Sequence, residues 1–418
     1  MRSSIPLLVA MASFLPCMRG QQAQDLEPAA QREWIGGLPF SSWTRATGDW
    51  GGLRTRLEDL GIEVGGGYTA DWAAAFSGDV RRRDSWCSLT DFNVAFDLET
   101  IAGWERTFVY FDAYSIHGRD PSGDIGDAQG LTNIQADDRE ELAEFWLETW
   151  FGDHWRLKVG KIDFNSEFAF NELGGDFVNS TAAVPPTIVA YPTFPDPASA
   201  INVFYHHDEH TYVGFGAFDG AGGDGISTGT KGLGSVFETE DSDSWFFTAE
   251  AGTSWTGGGV WGSGRAAIGA WHHTAKFVEF GGGTASGTSG GWLTLEQVVW
   301  REHPDRDDDS QGLGVYCSLG FADDSVSPFG NSVALGATWT GLIDGRDDDV
   351  LGLGLFRADL SDDPAAGTPG DETVFELLYK LQLTPSVSLK PELQYILEPG
   401  GAGAGDVLVG LLRIEVTF

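Results

Sequence analysis

The chain has 418 residues, and its 58 glycines follow no G-x-y period, so it is not a collagen-like rod. Aromatic residues make up 12% and include 16 tryptophans, which argues against intrinsic disorder. A formal charge of −37 argues against a nucleic-acid backbone as partner.

Residues 1–24 read as an export signal. Arg2 supplies the positive charge, and Ile5 to Leu15 form an apolar stretch too short to cross a bilayer. No A-x-A motif marks cleavage before Gln21 or Asp25, and the F-L-P-C ending at Cys17 is a poor lipobox. Beyond the signal only Cys87 and Cys317 remain, which is no disulfide framework. Residues 25–60 are expected to form a periplasmic segment with one short helix. Asp49 is its expected cap, Leu53, Leu57 and Leu60 its apolar stripe, and Gly61 its stop. No later segment has 18 consecutive apolar residues, so membrane-spanning helices are not expected.

From residue 61 to 418 the period is two. Ile62, Val64, Tyr68 and Trp72 alternate with Glu63 and Asp71; Phe92, Val94, Phe96 and Leu98 alternate with Asp91, Asn93, Asp97 and Glu99. Trp155, Leu157 and Val159 alternate with Arg156 and Lys158. Near the C-terminus Phe375, Leu377, Tyr379, Leu381 and Leu383 alternate with Glu376, Lys380 and Gln382. In the last strand Leu408, Leu412, Ile414, Val416 and Phe418 alternate with Val409, Leu411, Arg413, Glu415 and Thr417. About ten such residues is the length a tilted strand needs to cross a membrane.

Sixteen strands are expected, beginning near residues 61, 88, 106, 141, 155, 200, 210, 245, 260, 290, 311, 332, 350, 373, 387 and 407. Long connections near 73–87, 118–140, 164–199, 220–244, 274–289, 322–331, 359–372 and 398–406 alternate with short ones. A soluble sandwich has no reason for that asymmetry, whereas outer-membrane hairpins do. The expected fold is therefore all-β: an antiparallel transmembrane barrel with apolar faces to lipid and polar faces to a lumen too wide for side chains to fill.

Five segments in order resemble the carbohydrate-selective porins of the OprB family. They are GDWGGLRTRL (Gly48 to Leu57), SIHGRDPSGDIGDAQGLTNIQADDR (Ser115 to Arg139) and LKVGKIDFNSEFAF (Leu157 to Phe170). GGDFVNS (Gly174 to Ser180) and YPTFPDPASAINVFY (Tyr191 to Tyr205) complete the set. The resemblance implies a sixteen-stranded outer-membrane channel through which monosaccharides, glucose above all, diffuse.

Candidate solute-contacting residues follow from these placements. The segment 164–199 is too long for an ordinary connection, and its aromatics and five prolines argue against disorder. It is expected to fold inward and narrow the pore with Asp163, Glu167, Asn171, Glu172 and Asp176; the alternative is a cap over the mouth. Arg156, Lys158 and Lys161 face it from the wall, either as hydrogen-bond donors to sugar hydroxyls or as structural charge partners. Trp146 shares the polar phase of Glu144 and Glu148 while Ala143, Phe145, Leu147 and Phe151 take the lipid side. Trp146 is thus either a sugar-stacking platform or packing beneath the inner segment. Arg83, after Arg81 and Arg82, reaches the mouth or binds lipopolysaccharide phosphate.

Other clusters carry less. His206 to His210 reads as a solvated turn, and Asp305, Asp307 and Asp309 lack the glycine and the distal glutamate of a calcium loop. No nucleophile-elbow, zinc-protease or phosphate-loop motif is present, so neither catalysis, a metal nor a cofactor is expected. Expected partners are small sugars, outer-membrane lipid and lipopolysaccharide, with the chain a monomer or a homotrimer. The competing functions are a general or cation-preferring porin, a closed surface barrel and, more distantly, a phospholipase.

Overall fold

The computed structural model describes residues 38–235, 242–306, 309–368, 370–401, 403 and 405–418. The expected signal, Cys17 and Asp307 lie outside the described residues. The first eight strands are β1 (Ile62–Ala75), β2 (Asp84–Asp97), β3 (Thr107–Gly118), β4 (Arg139–Phe151), β5 (Trp155–Ile162), β6 (Ala198–His206), β7 (Thr211–Asp219) and β8 (Trp245–Trp255). The remainder are β9 (Gly264–Val278), β10 (Thr284–Arg301), β11 (Gly312–Ala322), β12 (Phe329–Thr340), β13 (Val350–Leu360), β14 (Glu372–Thr384), β15 (Val387–Leu397) and β16 (Val407–Thr417). Each pairs antiparallel with its neighbours in sequence, and β1 pairs with β16, so these sixteen strands of the described residues form a closed barrel. Closure leaves no unpaired edge, the condition for a sheet to sit in hydrocarbon.

The two faces sort by chemistry. Phe92, Phe215, Ile268, Leu293, Phe321, Leu353, Leu377 and Leu412 are exposed on the outer surface, where lipid would cover them. Arg413, Lys390, Glu376, Glu296 and Glu250 are buried on the inner one. The inner face is not uniformly polar, however. Val374, Leu378, Ile396, Val407, Val409 and Leu411 also point inward and are buried against Ile125, Leu131, Phe177 and Val178 of infolded connections. Part of the lumen is therefore a hydrophobic core shared by wall and loops.

Four expectations need correcting. Helix α1 (Leu53–Glu58) is capped by Gly52, not Asp49; the Asp49 carboxylate instead accepts from the Thr55 N–H and hydroxyl at 2.8 and 2.7 Å. Leu98 leaves the strand because Asp97 caps a one-turn helix α2 (Leu98–Ala102), accepting from Glu99 N at 2.9 Å. Ala143 does not face lipid. The β3–β4 register shifts between Asp112 and Ala113, which turns Ala143 inward into a cluster with Cys87, Leu89, Tyr114 and Ile116. The expected long connection 274–289 is only 279–283, because β9 and β10 run on as a hairpin past a register shift at Gly287.

Candidate solute pathway

Two connections on the same side of the barrel turn into the lumen: 119–138, between β3 and β4, and 163–197, between β5 and β6. The second is tied at its root. The Asp163 carboxylate accepts from Asn165 N at 2.7 Å, Thr193 Oγ1 at 2.8 Å and Phe194 N at 2.9 Å, so it joins the start of the segment to its end. Burial raises this carboxyl above the usual range, opposed by those hydrogen bonds. Asp163 N in turn donates to Glu144 of β4 at 2.8 Å.

Beyond the root, aromatic packing holds the segment to the wall. Phe164 meets Phe246 and Trp292 edge-on at 5.4 and 5.9 Å, and Phe168 stacks on Phe204 at 5.1 Å. Such pairs add to the gain from burying the rings themselves. The span then crosses the lumen on a row of wall carboxylates. Glu250 accepts from Ala169 N at 2.9 Å, and Glu296 from Leu173 N at 2.9 Å. Glu376 accepts from Val178 N at 2.8 Å and Asn179 N at 3.1 Å. Glu372 does the same for the other connection, accepting from Ala128 N and Gln129 N at 2.8 and 3.0 Å. Hydrogen bonds to a charged acceptor are worth about 1.5–3 kcal/mol each. These glutamates carry much of the architecture, and sequence reading did not single them out; their one signal is an isolated acid in the polar phase of a strand.

The expected wall cations are gathered, but as partners of acids. Arg156 lies 3.2 Å from Glu148 and pairs with Glu167, while Lys158 pairs with Glu167 and lies 3.6 Å from Glu148. Arg156 also stands over the Phe204 ring at 4.2 Å. All four charged groups are buried, with Lys158 only 1% exposed. Of the two expectations, the charge partnership is the one this geometry supports. Burial opposes the charge on Glu167, but Arg156 and Lys158 outweigh it and hold the carboxyl below the usual range.

Several other expected solute contacts are engaged within the protein as well. Trp146 is 7% exposed: Tyr110 stacks on it at 5.0 Å and Lys158 lies 3.9 Å from its ring centre, so no ring face is open to a sugar. Arg83 is exposed and donates to the carbonyls of Ala75 and Gly78 at 3.3 and 3.1 Å, bracing its own turn. Lys161 is buried and donates to the carbonyls of Thr228 and Gly229 at 2.8 and 3.1 Å. Asn171 closes a local turn by accepting from Gly174 N at 3.2 Å. Asp176 pairs with Lys380 at 3.1 Å, and its carbonyl accepts from Lys390 Nζ at 2.7 Å. Burial works against the Asp176 charge, yet Lys380 and Lys390 hold its carboxyl low. Glu172 is exposed. In the 206–210 turn, Asp208 accepts from His210 N and Thr211 N at 2.9 and 2.7 Å, an ordinary Asx turn.

The connection 119–138 is fixed at the barrel seam. Arg413 of β16 grips Asp71 of β1 through two hydrogen bonds of 2.8 Å, and also donates to Thr132 Oγ1 at 3.0 Å and Asn133 Oδ1 at 2.8 Å. Among the described residues no group of His, Cys, Asp and Glu is arranged to hold a metal ion.

A closed sixteen-stranded barrel, apolar outside and lined by buried charges as well as an apolar patch within, with long connections folded into its lumen, defines an outer-membrane diffusion channel. The model of the carbohydrate-selective porin, OprB family, matches residues 88–418, and the chain belongs to that family. It is 26% identical to Porin B of Pseudomonas aeruginosa PAO1 over 91% of this chain and 92% of the relative. It is 25% identical to the putative porin QuiX of Acinetobacter baylyi over 89% of this chain and 92% of that one. Among solved structures, the high-pH structure of Pseudomonas putida OprB superposes with a TM-score of 0.81. It covers 91% of this chain and all of its own at 22% identity, and shows the same fold. The chain is thus an outer-membrane carbohydrate porin.

Proposed function

We propose that the solutes are monosaccharides such as glucose, moving down their gradient with no covalent step, and that the segment 163–197 sets the narrowest part of the path. The observation that carries this reading is the suspension of that segment across the lumen by Glu250, Glu296 and Glu376. A segment so anchored takes space from the channel and makes what is left polar and selective. Deleting Asn171 to Val184 is expected to raise single-channel conductance in planar bilayers severalfold. Unchanged conductance from a correctly assembled barrel would remove this segment as the constriction.

A cation-preferring general porin is a second reading, favoured by the charge of −37. Most inner acids named above are already bonded to Arg, Lys or backbone N–H groups, which supports the sugar reading instead. The reversal potential in a tenfold potassium chloride gradient is therefore expected to lie nearer zero than the cation limit. Glucose is expected to reduce the current under the same conditions. A potential at the cation limit with no effect of glucose would favour the second reading.

A further inference from the structure

Glycines on the lumen side show how much room stands in front of each part of the wall. A methyl group built on Gly269 of β9 would overlap the Trp292 ring. On β11 it would lie 2.9 Å from Leu173 at Gly314 and 2.6 Å from Pro185 at Gly320. At Gly354 of β13 it would meet Phe356 at 2.5 Å and Phe177 at 3.0 Å. Leu173, Phe177 and Pro185 belong to the connection 163–197, which is therefore seated against β11 and β13 with no space to spare.

Gly67 of β1 is different. It shares the lumen phase with Thr69 and Asp71, because side chains two apart on a strand lie on one face. A methyl group there would have, among the described residues beyond its chain neighbours, one contact within 4 Å: the Val416 carbonyl oxygen at 3.5 Å. Its φ lies outside the left-handed region, so an L side chain would meet no backbone strain. Gly65 and Thr69 on either side are partly exposed, whereas Asp71 is 1% exposed beneath Thr132. The open stretch thus begins where the connection 119–138 ends.

Its flanks are polar and internally paired. Asp91 of β2 and Thr417 of β16 stand opposite Gly67, and Glu415 stands opposite Thr69. Asp91 accepts from Asn93 Nδ2 at 3.1 Å, and Glu415 from Ser388 Oγ at 2.6 Å and Lys390 Nζ at 3.2 Å. At the foot of β1, Arg45 of the N-terminal segment joins Glu58 and Glu63 at 2.8 and 3.2 Å.

We infer that the open path runs off-centre, along the wall of β16, β1 and β2, and that Gly67 sets the size of solute that passes there. The missing side chain is the width of the path. This placement rests on the reading of the connection 163–197 as the constriction, and names the wall that this connection leaves free.

The test compares Gly67→Trp with Tyr68→Trp in the full-length protein, by conductance in planar bilayers and by liposome swelling in glucose and in the smaller erythritol. Tyr68 shares the outward phase of Trp72, so it carries the same new ring on the lipid side. Gly67→Trp is expected to cut conductance to less than half and to slow swelling in glucose severalfold more than in erythritol. Tyr68→Trp is expected to change neither. Assembly is checked by heat-dependent gel migration, and Gly67→Cys serves if Gly67→Trp fails to assemble. Once assembled, Gly67→Cys should lose conductance on addition of trimethylammonioethyl methanethiosulfonate. Wild type is the baseline, with Cys87 buried and Cys317 in the outward phase of β11. Wild-type conductance in assembled Gly67→Trp, or no response of Gly67→Cys beyond that of wild type, would overturn the path along β1. Equal slowing of the two solutes would overturn Gly67 as the size limit. Deleting Asn171 to Val184 separates the two readings. Higher conductance on deletion with no effect at Gly67 removes this wall and keeps the constriction. An effect at Gly67 with no change on deletion removes the constriction and upholds the path along β1.

Discussion

Glu167→Gln is expected to destabilise the barrel by about 3–5 kcal/mol, the usual cost of removing one partner from a buried ion pair. Glu167 pairs with both Arg156 and Lys158, and without it Glu148 alone faces two buried cations at 3.2 and 3.6 Å. The loss should appear as a lower urea midpoint for refolding into lipid vesicles, followed by tryptophan fluorescence. Its pH dependence gives a second check. The folded carboxyl is held below its unfolded value of about 4.3, so the stability it contributes is complete above that value and is lost as pH falls through the lower folded one. The difference between wild type and Glu167→Gln should stay constant above about pH 6 and close on acidification. A difference under about 1 kcal/mol would mean that Glu148 balances the pair by itself.

The barrel was legible in the sequence because its cause is local. A period of two needs only the residues of one strand, and the apolar set of β16 from Leu408 to Phe418 points outward as that rhythm requires. What alternation cannot carry is the identity of whatever faces the inner side. Val409 and Leu411 share the lumen phase with Arg413, and they are buried because Leu131 and Phe177 arrive from connections far away in sequence. The same reasoning accounts for Trp146. Its phase was readable, but Tyr110 and Lys158, which occupy its ring, come from the strands on either side. Ala143 was misplaced because a bulge resets the phase without leaving a mark in composition. The carbonyl partners of Arg83, on Ala75 and Gly78, belong to its own turn, which no side-chain pattern announces. At the loop root, spacing brings Arg156 and Lys158 onto one strand face, and which acid each cation meets, Glu148 or Glu167, is set by the fold in three dimensions.

Arg413→Leu is expected to have an effect of similar size through a different part of the molecule. Arg413 and Asp71 stand directly opposite each other where β16 meets β1, so this pair sits on the one seam that joins the two ends of the barrel. Removing the guanidinium leaves Asp71 buried and charged, and takes partners from Thr132 and Asn133 of the infolded connection. A loss of about 3–5 kcal/mol in vesicle refolding is expected, with noisier channel current as the connection 119–138 loosens. The double variant Asp71→Leu/Arg413→Leu separates charge balance from seam closure. A buried pair replaced by apolar side chains of similar size is often neutral in stability, so the double variant should recover most of the loss. The hydrogen bonds to Thr132 and Asn133 are not restored, so the excess current noise should persist in the double variant. Recovery of stability with continued noise would assign the two jobs of Arg413 to different partners: Asp71 for the seam, and the 119–138 connection for the shape of the path. If stability does not recover, the seam depends on the directional hydrogen bonds of Arg413 rather than on the neutralisation of Asp71.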